Sequence, residues 1–167
     1  MLFRSGPKGV LAEASAGALL ILHPTVLPAT TLQVAAAAKA KQVRVIDVPI
    51  TSVPARVQSG QATFLVGGDK EVAEAARPYL LELGESFYYF GPLGSGNVAK
   101  LAKNYANAAT RIAIDESIRV AEGGGLDPKQ FLDMMRDMDP GSLVSDWEHT
   151  WTVKDRNAIH QIGRAHV

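Results

Sequence analysis

One stretch, Gly91 to Asn104, constrains this chain more than any other. It reads G-P-L-G-S-G-N-V-A-K-L-A-K-N. The aromatic run Phe87-Tyr88-Tyr89-Phe90 before it has the character of a strand, and the pattern after it is helical to about Gly123. Three glycines at such a junction mark a tight turn, where backbone needs a positive φ or close approach. Lys100 and Asn104 then fall four residues apart, on one face of the helix and one turn from each other. A cation and an amide stacked in this way suit a small polar substrate. They equally suit a solvated helix face, and spacing alone does not separate the two.

Two phosphate-binding motifs can be tested against the same residues. Gly94-Ser95-Gly96-Asn97-Val98-Ala99 fits G-x-G-x-x-G/A after a strand. That fingerprint requires a short helix and a second strand within about thirty residues. Here the helical pattern runs on through Arg111-Ile112-Ala113-Ile114 and Ile118-Arg119-Val120 to Gly123, so the match is read as fortuitous. A P-loop also fails, because Asn97 follows Gly96 where Lys-Ser or Lys-Thr is needed.

Upstream, Ala18 to Leu22 is a continuous apolar run, expected as a strand buried on both faces. Pro28 opens an alanine-rich helix to Lys41, with Thr25 or Pro28 near its start. Val43 to Ile50 is the second strand, Thr51 to Pro54 a loop, and Ala62 to Gly68 a third strand with a glycine stop. Asp69 caps the next helix, whose inner face is expected to carry Val72, Ala75, Ala76, Leu80 and Leu83. Tyr88 to Phe90 closes the strand series. The order β-α-β-β-α-β-α predicts an α/β sheet that ends in a long helix.

Beyond Gly94 no strand is expected. The long helix carries apolar Leu101, Tyr105, Ala108, Ile112 and Ala113. Asp127-Pro128 starts a helix to Met138, and Leu143 to Trp151 is read as helical too. Ile162 to Val167, I-G-R-A-H-V, is what a common sequencing adapter encodes in one frame, and it is set aside as read-through.

Composition narrows the function classes. Seventeen basic residues balance 17 acidic ones, and no basic run draws the chain to nucleic acid or anionic membranes. With no cysteine, thiolate chemistry, disulfides and cysteine metal sites are excluded, which fits a cytoplasmic protein. The four histidines have no ligand spacing, so no metal is expected. No apolar run reaches the length of a membrane span.

Several segments together resemble the β-hydroxyacid dehydrogenases, the group of 3-hydroxyisobutyrate dehydrogenase, tartronate semialdehyde reductase and 6-phosphogluconate dehydrogenase. Pro24 to Thr31 matches S-T-V-S-P-x-T-T, and Asp47 to Pro54 matches D-A-P-V-S-G-G-P. Thr63 to Asp69 matches T-x-M-V-G-G-D, and Gly91 to Asn104 carries G-x-x-G-x-G-x-x-x-K-L-x-x-N in full. Lys154-Asp155 matches a Lys-Asp pair that opens a later helix.

The resemblance implies an NAD- or NADP-dependent oxidoreductase that moves hydride between the nicotinamide and a small hydroxy acid or its semialdehyde. It makes Lys100 the general acid/base, a role a lysine fills when burial lowers its pKa. It makes Asn104 the substrate-orienting residue. Thr51, Ser52 and Val53 become the substrate-carboxylate loop, and Thr25 and Lys154 the cofactor contacts. Val53 departs from the family's glycine and adds bulk there. The family's opening strand–G-x-G-x-M-G–helix unit has no counterpart, so the chain is expected to be an internal fragment, inactive alone. Residues 1–93 are then the C-terminal part of a Rossmann-type domain and 94–161 the start of an all-helical domain. In the family that helical domain builds dimers or tetramers. The imine reductase branch shares the architecture but usually lacks this lysine, and a non-catalytic module would be expected to lose it.

Overall fold

The computed structural model describes residues 9–138. The chain divides into two compact units, Met1–Ala102 and Lys103–Val167. The first contains α1 (Val10–Glu13), β1 (Leu19–Leu22), α2 (Pro28–Lys39), β2 (Arg44–Asp47), α3 (Pro54–Gln58), β3 (Ala62–Gly67), α4 (Lys70–Leu83) and β4 (Gly84–Gly91). The long helix α5 (Ser95–Gly123) begins in it and runs into the second unit, which also holds α6 (Pro128–Met138).

The four strands form one sheet in the order β1-β2-β3-β4. β1 pairs parallel with β2, β2 antiparallel with β3, and β3 parallel with β4. Alternate side chains of the strands feed two apolar layers, as the pleat dictates. On one face Ile46, Val48, Phe64 and Val66 pack with Ala73, Ala76 and Leu80 of α4. On the other, Val43 and the half-buried Leu20 and Val45 pack with Leu11 of α1 and Ala38 of α2.

The elements follow from local chemistry. Pro28 is the first residue of α2, where its missing N–H costs nothing. The Asp69 carboxylate accepts from the Val72 amide at 3.1 Å and caps α4, as its sequence predicts. Pro49 has no N–H to donate and stops β2 at Asp47, although the chain still bridges Ile50 to Phe64. The second strand is therefore shorter than the expected Val43 to Ile50. The fourth is longer, because Gly84 to Phe87 pairs with β3 before the aromatic run ends.

Two expectations are corrected. β1 is not buried on both faces: only Leu22 is buried, because the strand lies at the edge of the described sheet. The inner face of α4 is Ala73, Ala76 and Leu80, while Ala75 and Leu83 are exposed. A helix buries one stripe, and the ring of Phe64 and its neighbours meets the row through Ala73 and Leu80. On α5 the exposed residues include Tyr105, Ala108, Ile112 and Ala113, and Ile114 and Ala121 are its buried hydrophobic residues.

In the second unit Ile114 packs with Ile118 of α5 and with Leu132 and Met135 of α6. Asp127 caps α6 through the Gln130 amide at 2.8 Å. The Lys129 ammonium, 2.6 Å away, and Arg136 hold the exposed Asp133 carboxyl below its usual range, and the same contact raises Lys129. The expected helix Leu143 to Trp151, Lys154 and the 162–167 tail lie outside the described residues.

Leu80 is fully buried between the helix and Phe64. Leu80→Ala is expected to cost about 2–5 kcal/mol, read as a lower urea midpoint. An unchanged midpoint would show that α4 does not hold the sheet.

Candidate functional site

The fully buried Asp47, at the carboxyl end of β2, anchors the site. One oxygen, Oδ1, accepts from the Gly94 amide at 2.7 Å. The other, Oδ2, accepts from the Asn97 amide at 2.7 Å and from Asn97 Nδ2 at 3.2 Å. The first amides of a helix have no partners within it and carry partial positive charge, so a carboxylate is favoured there. Serine or aspartate at the position of Gly94 would normally supply that cap. Gly94, with φ +95°, has no side chain to do so, and Asp47 supplies it from a strand. Hydrogen bonds to a charged partner are each worth roughly 1.5–3 kcal/mol.

The strand approaches closely because Gly96 carries no Cβ. A Cβ there would collide with the Leu65 carbonyl oxygen and lie 2.9 Å from that of Asp47. Asn97 is also fully buried, and its side chain has every polar atom engaged. Its Oδ1 accepts from the Val26 amide at 2.9 Å, and Nδ2 also donates to Thr31 Oγ1 at 3.3 Å. The turn after β1, the end of β2 and the first turn of α5 thus meet around one carboxylate and one amide.

The residues singled out in the sequence fall into three groups. Thr25 is half-buried, next to the Val26 held by Asn97. Lys100, also half-buried, follows Asn97 by three positions on α5, and Asn104 lies four further along the same helix. Thr51, Ser52 and Val53 stand apart from that junction. The Thr51 amide donates to the Thr63 carbonyl, four residues along β3 from Gly67 or roughly 13 Å. In that loop the Ser52 hydroxyl is spent internally, bonded to the Gln61 carbonyl and the Thr63 amide. The Thr51 hydroxyl is buried without a protein partner. Val53 is 55% exposed with φ −72°, the extended backbone that Pro54 imposes on its neighbour, so valine is unstrained there.

Asp47 and Asn97 were not singled out as site residues, although each left a trace in the sequence. An aspartate inside V-R-V-I-D-V-P-I is a charge in a buried strand, which requires partners. Asn97 directly follows the last glycine of the turn. A further cleft, lined by Ala113, Ser117, Val120, Ala121, Leu126 and Phe131, contains none of the predicted site residues. No group of three metal-ligating side chains occurs among the described residues.

The geometry also tests a dinucleotide. Its pyrophosphate needs open amides at a helix N-terminus. Two of those at the α5 glycine turn, Gly94 and Asn97, are taken by the Asp47 carboxylate and a third, Ser95, by the Pro92 carbonyl, so this turn does not fit one, which agrees with reading the Gly94–Ala99 fingerprint as fortuitous. The turn after β1 does fit a cofactor contact. It lies at the carboxyl end of a parallel strand, where open α/β sheets bind ligands, and α2 beyond it has no side-chain cap.

A sheet of this kind, with its loops gathered at the strand ends, defines a nucleotide-binding α/β domain. Residues 3–91, more than half of the chain, match the family described as the NAD binding domain of 6-phosphogluconate dehydrogenase. An NAD-dependent L-serine dehydrogenase of Pseudomonas aeruginosa is 31% identical over 90% of this chain and 50% of its own length. A 3-hydroxyisobutyrate dehydrogenase of the same organism is 30% identical over 87% of this chain and 49% of its own. The solved 3-hydroxyisobutyrate dehydrogenase of Mycobacterium tuberculosis with L-serine superposes with a TM-score of 0.74. It is 26% identical, over 86% of this chain and 49% of that one. The chain belongs to the β-hydroxyacid dehydrogenase family, whose domain of this type binds NAD or NADP. It spans about half the length of the curated relatives it matches.

Gly96→Ala forces a methyl group into strand backbone that cannot yield. It is expected to destabilise the chain by about 1–3 kcal/mol, seen in urea unfolding. Wild-type stability in that variant would contradict the close approach.

Proposed function

We propose that this chain is part of an NAD(P)-dependent dehydrogenase acting on a small hydroxy acid or its semialdehyde, with Lys100 as general acid/base. The observation that carries the proposal is the convergence at Asp47 and Asn97. It ties the turn bearing Thr25 to the helix bearing Lys100. The names of the relatives, dehydrogenases of serine and of 3-hydroxyisobutyrate, support the substrate class.

The bound nicotinamide supplies the hydride acceptor or donor. Thr25 contacts it from the turn after β1, and Lys154 is the second contact carried over from the family. In oxidation the Lys100 amine takes the proton of the substrate hydroxyl as hydride leaves the same carbon. In reduction the Lys100 ammonium returns that proton to the forming alkoxide. Asn104, four residues on, orients the substrate through its amide.

The loop Thr51-Ser52-Val53 meets the substrate carboxylate. Thr51 is the candidate donor there: its hydroxyl has no partner in the protein and is buried, so it would reach a ligand through a shift of the loop, whereas Ser52 serves the loop itself. Residues 1–93 form the cofactor-binding part and 94–161 the helical part, with 162–167 as read-through. The whole protein, placed in the cytoplasm, is proposed as a homodimer or homotetramer. The exposed Tyr105, Ile112 and Val120 of α5 support a covered helical surface in that assembly.

In the full-length protein, Lys100→Ala is expected to lower turnover by roughly 10²–10⁴-fold and to change cofactor affinity much less. Near-wild-type turnover would remove Lys100 from the chemistry. Thr51→Val keeps the shape and deletes an unsatisfied hydroxyl. Folding stability is then expected to hold or rise, while KM for the hydroxy acid rises roughly tenfold. An unchanged KM would place the carboxylate elsewhere.

A further inference from the structure

The capping of α5 requires only a carboxylate, which Asp47 provides through the Gly94 and Asn97 amides. The Asn97 side chain also donates to that carboxylate, and it reaches further, to the connection between β1 and α2, bonding the Val26 amide 71 residues away and the Thr31 hydroxyl 66 residues away. Thr31 is itself fully buried in the first two turns of α2. One buried amide therefore ties both ends of the segment that follows Thr25 to the helix turn just before Lys100.

We propose that Asn97 is a positioning residue for the hydride-transfer reaction. It acts as a strut that sets the Thr25 turn, and with it the nicotinamide end of the cofactor, at a fixed distance from Lys100. The proposal rests on the roles given above to Thr25 and Lys100. Asn97 touches neither substrate nor cofactor. Its effect comes through Val26 on one side and through the α5 backbone on the other. Hydride transfer requires the donor carbon, the acceptor carbon and the proton acceptor together in one geometry. A displacement of about 1 Å costs on the order of 10²-fold in rate.

The amide is suited to this work because it donates and accepts at once. Its oxygen takes the Val26 N–H, and its nitrogen meets the Asp47 carboxylate. Aspartate at position 97 would face Asp47 with two carboxylates and no proton between them.

The test uses the full-length enzyme, with turnover counted per folded molecule by circular dichroism. It compares Asn97→Ala and Asn97→Asp, and Lys100→Ala serves as the control. Asn97→Ala is expected to lower kcat roughly 10²-fold while KM for the hydroxy acid stays within about threefold, since Thr51 is not bonded to the strut. Asn97→Asp is expected to lose more.

A residue that only stabilised the fold would lower the melting temperature and leave kcat per folded molecule unchanged. That result overturns the proposal. So does failure of both Asn97→Ala and Asn97→Asp to fold, since Asn97 then belongs to the fold alone. A Lys100→Ala enzyme with wild-type turnover defeats the acid/base reading separately. In that case a hundredfold loss in Asn97→Ala supports the strut at the Thr25 turn and overturns its coupling to Lys100.

Discussion

The Asp47 carboxylate, fully buried beneath the glycine turn, is the contact on which the rest of this structure depends. Burying an ion costs several kcal/mol unless hydrogen bonds replace its water. Here two helix amides and a side-chain amide replace it, and the long helix receives the cap that Gly94 lacks. The contact is possible because Gly96 lets the helix backbone touch the carbonyls of β2 and β3. It fixes where α5 begins, and hence where a side chain one turn along it stands. The same contact closes the helix N-terminus to phosphate. A turn that resembles a dinucleotide fingerprint in sequence is thereby turned into a mount for a helix.

Much of the fold was legible in the residues. The glycine-to-helix transition, the caps at Asp69 and Asp127 and the helix start at Pro28 all follow from one or two residues acting locally, and each is present. What was not legible depends on neighbours distant in sequence. The apolar run Ala18 to Leu22 reads as a fully buried strand, yet its exposure is set by its place at the edge of the described sheet. Ala75 and Leu83 fit a helical stripe, but Phe64 decides which stripe is covered.

The candidate site divides in the same way. Lys100 and Asn104 were visible because a lysine and an amide one turn apart are a local pattern. Asp47 and Asn97 were overlooked because their meaning is a meeting, with partners 47 to 71 residues apart in the chain. The loop Thr51 to Val53 was visible by resemblance only. Its internal chemistry, with Ser52 engaged and the Thr51 hydroxyl without a partner, appears once Thr63 and Gln61 are in place beside it. Family membership supplies the cofactor class, and geometry supplies the reason these particular residues stand together.

Hydrogen exchange at the Gly94 and Asn97 amides, resolved by NMR, tests the Asp47 contact most directly. Neither amide has a partner within its own helix, so without the carboxylate both would exchange as fast as an exposed turn. The account predicts that they exchange only through global unfolding, alongside core amides of β3 such as Leu65. Exchange at the rate of an exposed amide with no hydrogen bond would contradict it, and α5 would then have to be held by something other than Asp47.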